Sequence, residues 1–203
     1  MLFPNVFLPL HVFEDRYREM VRDALSGDRI IGIVLLKDEL DSVTADAPAV
    51  YQIGCAGVIM HAEPLDDGRF NVVLRGLDKF RIQHEDHTRA YRQATTEIIT
   101  DAEGAVDQLN ADRRRLERVL DHRLTAAGSE SRVPPGMADM DLVNALSQYL
   151  DLDPVEKQAL LERDSVSERC RSLIDVLEMR ALLGDQGFHR QPFSSSTGPG
   201  VLH

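Results

Sequence analysis

The sequence predicts an α+β fold in which a β-rich lobe precedes a small α-helical bundle. In residues 1–100, short apolar segments alternate with turn residues, and Asp67-Gly68 marks a tight reversal between two strand-like segments. After Asp101 the spacing of apolar residues changes from about two to about 3.6, the period of an amphipathic helix. We therefore assign a β-rich lobe to residues 1–100 and a helical bundle to residues 101–183. Residues 184–203 have the serine- and glycine-rich composition of a disordered tail.

The first element is an apolar segment that two prolines interrupt and that runs directly into an acidic helix start. Pro4 and Pro9 lack a backbone N–H, so this segment suits a sheet edge better than a central strand. Glu14 and Asp15 complement the positive N-terminal end of the helix that follows. We expect that helix to end at Gly27, in a left-handed cap.

The rest of the β-rich lobe reads as strands with glycines at points of curvature. Gly54, Gly57 and Gly76 permit bulges or close turns, which would curl a small sheet toward a barrel. β-Branched residues within 91–99 predict a further half-buried strand.

Four helices are expected in the second lobe, and two of them have recognisable starts. Asp153-Pro154-x-Glu156 combines a cap residue, a proline at the first helical position and an acid two residues later. Ser165-x-x-Glu168 has the same capping pattern.

Composition excludes several classes of protein. The net charge of −11 opposes binding to nucleic acid or to an anionic membrane. The longest apolar run, at residues 30–36, is far shorter than the roughly 20 residues that span a bilayer. No basic residue precedes Arg16, so the start does not resemble a secretory signal, and we expect a cytoplasmic protein. Cys55 and Cys170 fit buried reduced thiols, with a disulfide or a reactive nucleophile as the alternatives.

The sequence offers little for catalysis. No G-x-x-x-x-G-K-[ST] loop is present to bind nucleotide phosphates. His84-Glu85-Asp86-His87 holds potential metal ligands, but solvated loop residues are the ordinary outcome in such a polar stretch. His11 and His61, beside apolar segments, fit structural histidines that could be neighbours in space. We expect no cofactor, no metal and no enzymatic activity.

A series of motifs in the β-rich lobe resembles the N-terminal domain of the Lon protease family. Their order and spacing over about 80 residues carry the resemblance rather than any single motif. They are Phe3-Pro4, Leu8-Pro9-Leu10-His11-Val12-Phe13-Glu14-x-Arg16-Tyr17, Gly32-Ile33-Val34-Leu35, Ile53-Gly54-Cys55-Ala56-Gly57-Val58-Ile59, Asp67-Gly68-Arg69-Phe70-Asn71-Val72-Val73-Leu74-Arg75-Gly76 and Phe80-Arg81-Ile82.

The resemblance implies a PUA-like pseudo-barrel and a stand-alone, non-catalytic domain that binds unfolded or degron-bearing polypeptide. The ATPase and serine-lysine peptidase of full-length Lon are not in this sequence, so an adaptor or regulator of an ATP-dependent protease in protein quality control is the role implied. A PUA-like RNA-binding module is the alternative. Lon-type domains usually have a strand before the Phe-Pro motif, so either translation starts upstream or the neighbouring strand edge is exposed.

Six residues in the resembling motifs are candidates for contact with polypeptide. Glu14, Arg16 and Tyr17 match the family's Glu-x-Arg-Tyr motif, which would either anchor the helix to the barrel or contact the bound chain. The same ambiguity holds for Arg75. The full candidate set is Phe3, Phe7, Glu14, Arg16, Tyr17 and Arg75.

Overall fold

The computed structural model describes residues 1–37, 48–102, 106–126 and 136–182. The β-rich lobe contains five strands and one helix: β1 (Phe7–Val12), α1 (Asp15–Ser26), β2 (Ile30–Ile33), β3 (Ile53–Pro64), β4 (Phe70–Asp86) and β5 (Gln93–Ile99). Four helices follow in the described residues: α2 (Val106–Ala126), α3 (Asp139–Tyr149), α4 (Pro154–Leu161) and α5 (Val166–Leu182). The α+β prediction is confirmed. The predicted tail at 184–203 lies outside the described residues.

The strands form one antiparallel sheet around the long strand β4. Its order is β1-β4-β3-β2, and β5 pairs with the C-terminal part of β4. The β3–β4 ladder shifts register between Cys55 and Gly57 and again between Ile59 and His61. Such bulges increase local twist and bend the strand that carries the extra residue. The sheet therefore curves, as the glycine pattern predicted.

The predicted hairpin is confirmed as the β3–β4 connection. Gly68 adopts φ +81°, a left-handed conformation that glycine enters without steric cost. The Gly68 N–H donates to the Leu65 carbonyl at 2.9 Å, which closes the turn.

The N-terminal segment packs across the inner side of the sheet. Leu2 and Phe3 are fully buried in the main core. A Cβ atom at Gly76 would lie 2.0 Å from the Phe3 carbonyl oxygen, and one at Gly57 would lie 2.7 Å from a Leu2 methyl group. Glycine at these two positions therefore permits the close approach of this segment.

The capping of α1 differs from the prediction. Gly27 has φ −119°, and the left-handed residue is instead Arg29, with φ 62°. Arg29 exchanges hydrogen bonds with Ile59 of β3: the Ile59 N–H donates to the Arg29 carbonyl at 2.8 Å, and Arg29 Nε donates to the Ile59 carbonyl at 3.1 Å. These bonds to the sheet favour the left-handed backbone at Arg29.

Both predicted helix starts in the second lobe are confirmed. Asp153 and Glu156 form a capping box at the start of α4, and the Ser165 hydroxyl accepts from the Glu168 N–H at 3.2 Å at the start of α5. Leucines of α2 and α5 join the same apolar cluster as the inner face of the sheet. Because one core includes residues from both lobes, the boundary at residues 100 and 101 stays a prediction.

None of the helices in the described parts of the chain is long and apolar enough to cross a membrane.

Candidate functional site

Strand β1 displays a stripe of apolar and aromatic side chains to solvent. Its residues alternate, with Leu8, Leu10 and Val12 toward the core and with Phe7, Pro9 and His11 on the exposed side. Phe7 keeps 45% of its surface exposed, and Phe13, immediately after the strand, keeps 61%. Large apolar side chains left open in this way mark candidate interaction surfaces.

The exposed side of β1 continues across the sheet as a row of four residues. Phe7 lies opposite Arg75 of β4, Arg75 lies opposite Val58 of β3, and Val58 lies opposite Ile30 of β2. Ile30 is 49% exposed. Ile59 and Leu74, which follow Val58 and precede Arg75 in their strands and so face the other side of the sheet, are buried. We call the surface formed by Phe7, Pro9, His11, Val58, Arg75 and Ile30 the outer face. It is a mainly apolar surface around one arginine.

Arg75 is the cation of the outer face, and it is bound to a neutral partner. Its Nη2 donates to Asn5 Oδ1 at 3.2 Å, and Asn5 Nδ2 donates in turn to Asp141 Oδ1 of α3 at 3.1 Å. No ion pair joins Arg75 to a carboxylate among the described residues. Its guanidinium therefore retains donors for a ligand.

The backbone edge of β1 is partly occupied. The Gly76 N–H donates to the Val6 carbonyl, so Val6 points its carbonyl toward β4. Successive residues of an antiparallel strand point their backbone groups alternately toward and away from the neighbouring strand. The backbone groups of Phe7, Pro9 and His11 therefore point away from β4. Pro9 has no N–H to offer there.

Helix α3 covers the first part of that edge. The Phe7 carbonyl accepts hydrogen bonds from Gln148 Nε2 and from the Tyr149 hydroxyl, both at 2.7 Å. In the part of the chain that the structure describes, β1 is the outermost strand of the sheet beside β4. The exposed edge expected between residues 1 and 13 is therefore limited, and side chains rather than backbone groups dominate the outer face.

The six residues predicted from the sequence to contact polypeptide lie in three different surroundings in the structure. Phe7 and Arg75 are directly opposite each other on the outer face. Phe3 is fully buried, and its N–H donates to Gln148 Oε1 at 2.9 Å, so its ring belongs to the core and offers no surface to a ligand.

Glu14, Arg16 and Tyr17 form a local group at the start of α1. The Arg16 guanidinium pairs with Glu14 at 2.7 Å and lies 4.7 Å from the centre of the Tyr17 ring. Both contacts stay within this turn, and both members of the ion pair are well exposed. Both interpretations, an anchor between the helix and the sheet and a contact with polypeptide, stay predictions.

The residues that join the two lobes were not anticipated. Arg169 of α5 is fully buried and donates to both Asp101 carboxylate oxygens at 3.0 Å. Lys79 of β4 is nearly as buried and pairs with Asp101 at 2.5 Å. We call Lys79, Asp101 and Arg169 the interlobe ion cluster. The only sequence signal is that position 169 lies four residues before Leu173, on the apolar period of α5.

Asp101 is charged in this cluster. Burial alone would raise its pKa, but the hydrogen bonds and charges of Arg169 and Lys79 outweigh that effect and hold the pKa below its ordinary value. Arg169 also donates to Asn144 Oδ1 at 2.8 Å, and Asn144 Nδ2 donates to the Pro4 carbonyl at 3.0 Å. The cluster thus connects β4, α3, α5 and the N-terminal segment.

His11 is hydrogen-bonded at the surface, and the two cysteines are buried. Arg69 donates to His11 Nε2 at 3.2 Å, and His11 Nδ1 lies 2.8 Å from Asn71 Oδ1. No group of three or more potential metal ligands, including those at 84–87, is found in the described parts of the chain. Cys55 and Cys170 are free and buried, and burial raises the pKa of each thiol to about 12.

The fold and the outer face define an α+β domain with a curved antiparallel sheet, a buried ionic junction to a helical lobe and an exposed apolar surface. The chain belongs to the ATP-dependent protease La (LON) substrate-binding domain family, whose model matches residues 1–179. The recognition made from the motifs is confirmed.

Full-length relatives are similar to this chain over one part of their length. Lon protease of Dictyoglomus thermophilum is 25% identical over 183 residues, which cover 85% of this chain and 22% of the relative. Lon protease 2 of Myxococcus xanthus is 26% identical over 192 residues, covering 89% of this chain and 22% of the relative. The chain thus spans about a fifth of the length of these curated relatives, and neither the ATPase nor the protease part is matched.

Two solved structures share the fold. The N-terminal domain of the Mycobacterium avium complex Lon protease has a TM-score of 0.64 at 18% identity, covering 88% of this chain and 92% of that one. A Lon N-terminal domain protein from Xanthomonas campestris has a TM-score of 0.59 at 22% identity, covering 86% of this chain and 91% of that one.

Proposed function

We propose that this chain is a non-catalytic domain that binds unfolded polypeptide through its outer face. The observation that carries the proposal is the row across four strands in which Arg75 lies between Phe7 and Val58, with the exposed Ile30 beyond Val58. The family's description as a substrate-binding domain supports the same role.

The chemistry of the outer face suits an extended chain. Apolar side chains of the ligand would cover Phe7 and Ile30, which gains free energy in proportion to the apolar area removed from water. Arg75 would donate to backbone carbonyls or to an acidic side chain of the ligand. Folded proteins bury most apolar side chains and pair most of their backbone carbonyls, so these two contacts together favour unfolded segments.

The cellular role that we propose is an adaptor or regulator in protein quality control, with an ATP-dependent protease as a partner. The sequence contains no phosphate-binding loop, and the matched family region is the substrate-binding one. Two free, buried thiols agree with a cytoplasmic location, where thiols stay reduced. The net charge of −11 disfavours nucleic acid as a partner.

The test is a titration of the protein into a fluorescently labelled, permanently unfolded polypeptide, followed by anisotropy. A phenylalanine side chain buries about 150–250 Å² when covered, and Phe7 has 45% of its surface left to cover. That leaves about 70–110 Å², or about 2 kcal/mol for complete coverage. We expect micromolar binding and, because a mobile ligand covers only part of the ring, a loss of about tenfold in Phe7→Ser.

The matched control is Val155→Ser on α4, since Val155 is 59% exposed and belongs to a helix of the second lobe, not to the outer face. Its affinity should equal that of the unchanged protein. Equal affinities for Phe7→Ser and Val155→Ser would overturn the assignment of the outer face. A structured RNA serves as the second probe: binding that falls steeply with salt would favour the PUA-like RNA-binding alternative.

A further inference from the structure

Among the residues that the structure describes, strand β5 is an edge strand without the protection found on the other edges. It is seven residues long, and six of these residues are exposed although they lie in a strand. β1 contains Pro9 and is covered in part by α3, and β2 has only four residues. β5 contains no proline, lysine or glycine. Long edges of this kind, with a single charged residue, are templates for pairing with another strand.

The register of β5 shows which of its backbone groups are available. Ile82 of β4 lies opposite Thr96, but its N–H donates to the Gln52 carbonyl on the other side of β4, at 2.9 Å. Ile82 and Thr96 therefore do not exchange hydrogen bonds, and the N–H and C=O of Thr96 point to the open edge. By the same alternation, the backbone groups of Ala94 and Ile98 also point outward.

We infer that two copies of this chain associate by antiparallel pairing of β5 with β5, centred on Thr96. Thr96 is the middle residue of the strand, so this register uses its full length. The outward groups of Thr96 would pair with those of the partner copy's Thr96, and Ala94 would pair with the partner copy's Ile98. Each such pair exchanges two hydrogen bonds.

Side chains in this register are complementary. Ile98, which is 57% exposed, gains an apolar neighbour in Ala94 of the second copy. Glu97 is the only charged residue of β5 and lies opposite Thr95 of the second copy, so no like charges meet. A second copy of the chain is therefore the partner that fits this edge, because its own β5 supplies the residues that complement Ile98 and Glu97.

The pairing is tested by sedimentation equilibrium over a range of protein concentrations. Because one strand pair buries a small area, we expect a reversible dimer with a dissociation constant of about 10–100 µM. Thr96→Pro removes an outward N–H but no hydrogen bond to β4, so this variant should stay monomeric while its circular dichroism is unchanged. A wild-type protein that is monomeric at several hundred micromolar would overturn the proposal.

The register is tested with two variants of one exposed residue. Thr95→Lys places a cation opposite Glu97 of the other copy and should tighten the dimer, whereas Thr95→Glu places a like charge there and should weaken it. Two symmetric contacts should give a change of about threefold to tenfold in each direction, reduced by salt. Equal dissociation constants for the two variants, or weakening in both, would overturn pairing centred on Thr96. These outcomes do not depend on whether the outer face binds polypeptide.

Discussion

Replacing Asp101 with asparagine removes the one carboxylate of the interlobe ion cluster. The substitution keeps the size of the side chain but leaves two buried cations, Lys79 and Arg169, without a counter-charge. Removing one partner of a buried ion pair is strongly destabilising because the remaining charge has lost both water and its partner. We therefore expect Asp101→Asn to lower the free energy of unfolding substantially.

The magnitude follows from the geometry. The Asp101 carboxylate accepts two charge-assisted hydrogen bonds from Arg169 at 3.0 Å and one from Lys79 at 2.5 Å. The asparagine carbonyl still accepts one hydrogen bond, and Asp101 keeps 15% of its side chain in contact with solvent. These two facts place the loss near the lower end of the range for broken buried pairs, at about 3 kcal/mol. For a chain of this size, that corresponds to a fall in Tm of about 6–12 °C.

The assay is urea denaturation followed by far-ultraviolet circular dichroism. Glu14→Gln is the matched control, because it removes a carboxylate from an exposed ion pair with Arg16 and should cost about 0–1 kcal/mol. A loss for Asp101→Asn as small as that of the control would refute the argument that the cluster joins the lobes. The double variant Asp101→Asn/Arg169→Met should lose less than the sum of the two single losses.

The contribution of Asp101 also depends on pH in a defined direction. Its folded pKa is held below the unfolded value of about 3.9, so the stabilisation is fully present above that value. It is lost as the pH falls through the lower, folded pKa. The stability difference between the unchanged protein and Asp101→Asn should therefore be constant from pH 7 to about 5 and shrink below about pH 4.

Two further predictions concern a glycine and the thiols. Gly76→Ala should lower the free energy of unfolding in urea by about 2 kcal/mol or more, because the added Cβ would lie 2.0 Å from the Phe3 carbonyl oxygen. The control Gly27→Ala, whose added Cβ would have its nearest neighbour at 3.7 Å, should be tolerated. Similar losses for the two variants would contradict this reasoning. Cys55 and Cys170, whose pKa values are raised to about 12, should not react with a thiol-specific disulfide reagent at pH 8 until urea unfolds the chain. Rapid reaction of either thiol in the native protein would refute their burial.

Elements governed by local chemistry could be predicted from the sequence. The β3–β4 hairpin depended on Asp67-Gly68, and the starts of α4 and α5 depended on capping residues within one turn of each helix. The cap of α1 failed as a prediction because Arg29, not Gly27, is bound to β3 by hydrogen bonds that no local pattern reveals. Tertiary contacts override a local preference there.

The candidate site shows the same limit. Phe3 and Phe7 occupy similar apolar, proline-flanked surroundings in the sequence, yet one is buried and the other is 45% exposed. The alternation within β1 could have assigned Phe7 to the side opposite Leu8 and Leu10. The presence of Ile30 in the same row could not have been found in this way, since it depends on the register of three strand pairs.

The geometry of the outer face depends on both lobes. Arg75 is held by Asn5, and Asn5 is held by Asp141 of α3. The strand that carries Phe7 is bound to α3 through its carbonyl, and α3 is bound to α5 through Asn144 and Arg169. A β-rich lobe without these helices would lack the contacts that fix Arg75 and β1. This dependence gives a physical reason why the family match continues through the helical lobe to residue 179.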